Sequence, residues 1–110
     1  MSRNLEIYCN QLATRIQETW EVSVSGDCSR NYRVVDRDDR WLIVYDQYDN
    51  NGEICTEPKT HCVVSKETGD VARRSIKLVE EAFFPFNLMD LGSRVDCLVR
   101  ANYTGDYLEL

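Results

Sequence analysis

The sequence lacks any apolar stretch near the ~20 residues that a membrane-spanning helix needs. Its longest apolar run is Trp41-Leu42-Ile43-Val44-Tyr45, which suits a buried strand. Residues 1–6, Met-Ser-Arg-Asn-Leu-Glu, have no signal-peptide apolar core. Cysteines number five and none forms a CxxC pair, so a secreted disulfide scaffold is disfavoured and reduced, mostly buried thiols are expected. These absences point to a cytoplasmic protein with no membrane contact. No linker, repeat or low-complexity segment divides the chain, and 110 residues make one domain. The five glycines are isolated from one another, so no phosphate-cradling loop exists.

Positive charge is also scarce, and the deficit is local. The formal net charge is −6. Between residues 36 and 57 stand seven acids (Asp36, Asp38, Asp39, Asp46, Asp49, Glu53 and Glu57) against Arg37 and Arg40 alone. That segment therefore holds most of the excess. Phosphate contacts need a basic surface, so direct nucleic-acid binding is disfavoured. A basic protein partner is favoured, because complementary fields steer encounter.

What is present reads as an α+β domain. Over residues 3–20, Leu5, Tyr8, Cys9, Leu12, Ile16 and Trp20 recur at steps of three and four, which predicts an amphipathic helix. The period then changes to two, predicting a strand over 21–25 and another over 32–35. Arg37-Asp38-Asp39-Arg40 reads as a polar turn. The apolar run 41–45 should be central in the sheet. Asn50-Asn51-Gly52 fits a hairpin, with 53–56 returning and Pro58 ending that strand. Residues 60–65 predict a strand, 66–69 a turn and 70–73 its return. Residues 75–84 suit a short helix stopped by Pro85. Residues 95–99 alternate as a final strand would. The sum is an N-terminal helix packed on an antiparallel meander, with a short C-terminal helix or loop and a last strand.

The segment Val63-Val64-Ser65-Lys66-Glu67-Thr68-Gly69-Asp70-Val71, as a strand–KxTG–strand hairpin behind a helix, resembles cystatin-like bacterial modules. These include PepSY-type domains and small immunity proteins. The resemblance covers residues 3–74 and brings no functional residues with it.

Chemistry-bearing groups are sparse. Cys55, His61 and Cys62 are the best metal candidates, with Cys28 or Cys97 as a fourth ligand. Their spacing is not that of a zinc ribbon or finger, and neighbours on a strand point to opposite faces. His61 is the sole histidine, so any cysteine nucleophile would need it as base, and no elbow motif accompanies it. Asp36, Asp38 and Asp39 lie beside arginines and suit a solvated turn better than a glycosidase pair. No catalytic residue, metal or cofactor is therefore assigned.

The acidic segment carries the main expectation. Trp41, Tyr45 and Tyr48 interleave with its acids, and aromatics beside carboxylates suit an interface. The expected contact set is Asp38, Asp39, Trp41, Tyr45, Asp46, Tyr48, Asp49 and Glu53. The function expected is a non-enzymatic inhibitor that blocks a basic effector, as an immunity or anti-defence protein does. A solvated hairpin that merely aids solubility is the plainer alternative. Phe83, Phe84, Phe86, Leu88 and Met89 form a second candidate surface. They either cover an open side of the sheet or mediate self-association in a homodimeric assembly protein.

Overall fold

The computed structural model describes residues 2–23, 28–55, 57–73 and 85–108. Helix α1, Ser2–Ser23, buries Leu5, Cys9, Leu12, Ala13, Ile16 and Trp20 along one stripe. It runs past the expected boundary, so 21–23 are helical rather than the start of a strand. A brief alternation at a helix end does not outweigh continued i to i−4 bonding when no proline or glycine intervenes. Residues 24–27 lie outside the described residues.

Five strands follow: β1 Ser29–Asp36, β2 Arg40–Tyr48, β3 Lys59–Ser65, β4 Asp70–Ala72 and β5 Phe86–Asn87. They form one sheet in that spatial order, and every pair is antiparallel. The turn 37–39 closes the first hairpin, with the Arg37 N–H donating to Arg40 O at 3.0 Å. Gly69, at φ +84°, closes the β3–β4 turn, and its N–H donates to Ser65 O at 2.8 Å. That positive φ excludes most side chains. A Cβ there would also stand 2.7 Å from Met89 Cγ.

The register sorts side chains onto two faces. Tyr32, Val34, Trp41, Ile43, Tyr45, Cys62, Val64, Val71 and Phe86 pack in the core cluster with α1. Arg33, Val44, Asp46 and Val63 lie on the other face.

Helix α2, Leu91–Arg100, replaces the strand expected at 95–99. The Asp90 carboxylate accepts from the Ser93 N–H at 2.8 Å and caps it. Cys97 faces the core, and a 3₁₀ turn, Asp106–Leu108, adds Leu108. The helix expected at 75–84 falls outside the described residues. The fold is α+β: an N-terminal helix, a five-stranded antiparallel sheet and a short C-terminal helix.

Candidate functional site

Strand β2 carries the acidic segment, and its geometry divides that segment. At about 3.3 Å per residue, the ends of β2 lie roughly 26 Å apart. Asp38 and Asp39 sit at one end; Tyr48, Asp49 and Glu53 sit at the other. Between them the aromatics turn inward. Trp41 is buried in the core, and its indole N–H has no hydrogen-bond partner among the described residues. Tyr45 is half-buried against Tyr32, ring centroids 5.1 Å apart. Asp46 is buried and accepts from Arg33 Nε at 3.2 Å. Trp41 and Asp46 are thus corrected from surface contacts to parts of the fold.

Several acids are engaged within the fold. Lys66 pairs with Asp36 and rests 4.5 Å over the Trp41 ring. Arg40 donates twice to the Asp39 carboxylate, at 2.7 and 3.0 Å, which holds that carboxyl below its ordinary pKa.

The far end of β2 is different. Asp49 Oδ1 accepts from the N–H groups of Asn51 and Glu53, both at 2.9 Å. The Asp49 N–H donates to Glu53 O at 2.8 Å, and Gly52 takes φ +82°. The Cys55 N–H donates to Gln47 O at 2.7 Å. Of the strand expected at 53–56, residues 53–55 make one bridge, Tyr48 to Ile54, residue 56 lies outside the described residues, and β2 pairs instead with β1 on one side and β3 on the other. Pro58 lacks the N–H that would extend such a ladder. The loop is firmly built, yet residues 50–55 are exposed. Ile54 is 62% exposed beside Glu53. Sequence reasoning missed Ile54; the signal was an isolated branched apolar residue two positions after Asn-Gly.

Arg30 was also missed. Its guanidinium lies 4.1 Å from the ring centroids of both Trp20 and Tyr45 and 5.9 Å from that of Tyr103. It donates to Gln47 Oε1 at 3.1 Å and Tyr32 Oη at 2.9 Å. This cation is spent on joining α1, the sheet and the C-terminal segment.

His61 and Cys62 do not point to opposite faces. The β2–β3 register shifts between Ile43 and Val44, leaving His61 as an extra residue in a bulge. Both side chains turn toward the helices. His61 is buried, with Nε2 2.8 Å from Tyr107 Oη and its ring near Tyr32. Burial, then the charges of Arg73 and Arg30, push its pKa down to about 4. Burial raises the Cys9 and Cys97 thiols to about 12, and Cys62 goes well above its ordinary value. A neutral, shielded imidazole beside protonated thiols is core packing. Cys55 is exposed on the β2–β3 loop, apart from this cluster. Among the described residues no three His, Cys, Asp or Glu groups are placed to hold a metal ion, and no helix is long and apolar enough to cross a membrane.

The Phe-rich segment also divides. Phe86 and Leu88 are buried in the core, so they are corrected from a self-association surface to structural residues. Phe83 and Phe84 lie outside the described residues. Met89 remains exposed, and α2 continues outward from it with Leu91, Val95 and Val99. Comparison with known proteins finds no matching family model, curated protein or solved structure.

Proposed function

We propose that this protein is a non-enzymatic binding protein that sets its β2–β3 loop against a basic partner and acts as a stoichiometric inhibitor of it. The observation that carries the reading is the loop itself: a network of short hydrogen bonds fixes residues 49–55 in one shape, while almost nothing there is buried. Order without burial serves recognition, because a loop already in its bound shape loses little entropy on docking. Ile54 is the apolar anchor. Tyr48, Asp49 and Glu53 adjoin it, and together with Glu57, further along the chain, they steer a partner rich in Arg and Lys. Asp38 and Asp39, at the opposite end of β2, have no part in this contact. The carboxylates would compete with the partner's natural anionic ligand, such as nucleic acid, for the same cations. The resemblance to small immunity proteins is consistent with this role.

The test compares tagged wild type with an Ile54→Ala, Glu53→Lys, Glu57→Lys variant and an Asp38→Lys control. The captured partner is purified and titrated at low and high salt. Wild type and control should bind it alike and weaken with salt. The triple variant should lose at least about tenfold in affinity. Equal binding by all three proteins would refute the loop as the contact.

A further inference from the structure

The residues that precede the glycines are Ser25, Asn51, Thr68, Leu91 and Thr104. Asparagine before glycine is a reactive pair. The asparagine carboxamide carbon lies within reach of the next backbone nitrogen, and glycine has no side chain to block the approach. Asn51-Gly52 is the one such pair in the chain, and no aspartate precedes a glycine. The β2–β3 loop presents it to solvent, with both residues exposed. Nothing stands within 4 Å of the place a Gly52 Cβ would take. Among the described residues no group bonds the Asn51 carboxamide. The backbone, by contrast, is held. The Gly52 N–H donates to Asp49 O at 3.0 Å. Asp49 Oδ1 accepts from the N–H groups on either side, those of Asn51 and Glu53, both at 2.9 Å.

We propose that Asn51 is a site of spontaneous covalent modification and that Asp49 sets its pace. The Gly52 nitrogen gives its proton to solvent base and bonds to Asn51 Cγ. The Cγ–Nδ2 bond breaks, and ammonia leaves with a proton returned from solvent. Water then opens the resulting cyclic imide at either carbonyl, which gives aspartate or isoaspartate. Water is the sole co-reactant, and nothing is oxidised or reduced. The Gly52 nitrogen cannot donate to Asp49 O and attack at once, so the loop must open before the ring closes. The rate is then that of the free chain multiplied by the fraction of time the loop is open. Each bond to Asp49 lowers that fraction several-fold.

The product does not fit the loop. Isoaspartate adds a carbon to the backbone between Asp49 and Glu53, whose mutual bonds span it. Either acid sets a new carboxylate near that of Asp49, and like charges repel. Modification therefore keeps the loop open. Loss of the basic partner would follow. That consequence rests on the loop reading above, whereas the modification is measured on the protein alone.

Purified wild type, Asp49→Ala, Asp49→Asn and Asn51→Gln are held for days at neutral pH, folded and in urea. Peptide mapping by mass spectrometry counts the acid formed at position 51, and circular dichroism checks the fold. Folded wild type should react at least about tenfold more slowly than the unfolded chain. Folded Asp49→Ala should approach the unfolded rate. Asp49→Asn keeps the Oδ1 acceptor and should stay near wild type, and Asn51→Gln should form no acid there. Equal rates for folded and unfolded wild type would overturn the inference. So would an Asp49→Ala rate no higher than wild type, an equal acceleration by Asp49→Asn, or acid forming at Asn50 before Asn51.

Discussion

Acidification from pH 7 to pH 4 should destabilise this protein through His61, and the size follows from its surroundings. The imidazole is enclosed by Tyr32 and Tyr107, with Arg73 and Arg30 close enough to oppose a positive charge. Its folded pKa is about 4 against 6.5 for the free side chain. Between those values the unfolded chain takes up a proton that the folded chain refuses. Stability therefore falls as pH drops through 6.5 and stops falling, for this group, below about 4. Two and a half pH units at 1.36 kcal/mol each give about 3 kcal/mol in full, and about 2 kcal/mol by pH 5. Urea unfolding followed by tryptophan fluorescence, at pH 7, 6, 5 and 4, measures it in wild type and in His61→Gln. Glutamine preserves a polar contact to Tyr107 but does not titrate. Subtracting the two curves removes the carboxylates common to both proteins. The wild-type curve should fall more steeply by about 3 kcal/mol over the range. Parallel curves would show that the folded protein accepts the proton readily and that the enclosure argument is wrong.

Other expectations follow from single contacts. Gln17→Ala removes both bonds that the amide makes to β1, at Arg30 O and the Tyr32 N–H, each 2.8 Å. It should cost about 1–2 kcal/mol and, by opening an edge strand, cause concentration-dependent light scattering. Arg30→Met keeps the length of the side chain and loses its charge over Trp20 and Tyr45. It should cost about 2–3 kcal/mol in chemical denaturation, with Arg30→Lys intermediate. Thiol titration should find Cys55 reactive in the native state, and Cys9, Cys62 and Cys97 reactive only after unfolding. A native Cys62 reacting as fast as Cys55 would contradict its burial.

Features held within one element were legible in the sequence. The α1 stripe of Leu5, Cys9, Leu12, Ile16 and Trp20 needs only local periodicity, and all five residues are buried. The turns at 37–39 and 66–69 announce themselves by charge and by Gly69. The segment 95–99 misleads because a five-residue window satisfies both a period of two and a period of 3.6. The deciding signal lay upstream, in Asp90 three positions before Ser93. The bulge at His61 had no such signal, since an extra residue exists only relative to the partner strand. The acidic segment was legible as charge but not as a surface. Its composition does not reveal that β2 carries its ends apart, or that Arg33 and Lys66 engage Asp46 and Asp36. The cage around Arg30 joins residues 20, 45 and 103, a meeting that only the folded chain creates.

α1 is tied down by two sets of contacts that differ in how much chain they enclose. Gln17 reaches β1 across 13 and 15 residues. Arg15 reaches Leu98 O across 83 residues, and Trp20 meets Tyr103 at the same separation. Releasing the longer loop returns more freedom to the chain, by about 1.5 kcal/mol in loop-closure terms. The molecule should therefore loosen from its C-terminal side first, with α2 and the residues beyond it lifting while α1 stays clasped to β1. In native-state hydrogen exchange, the amides of α2 should open at lower free energy than those in the middle of α1, and the two helices should report separate steps of unfolding.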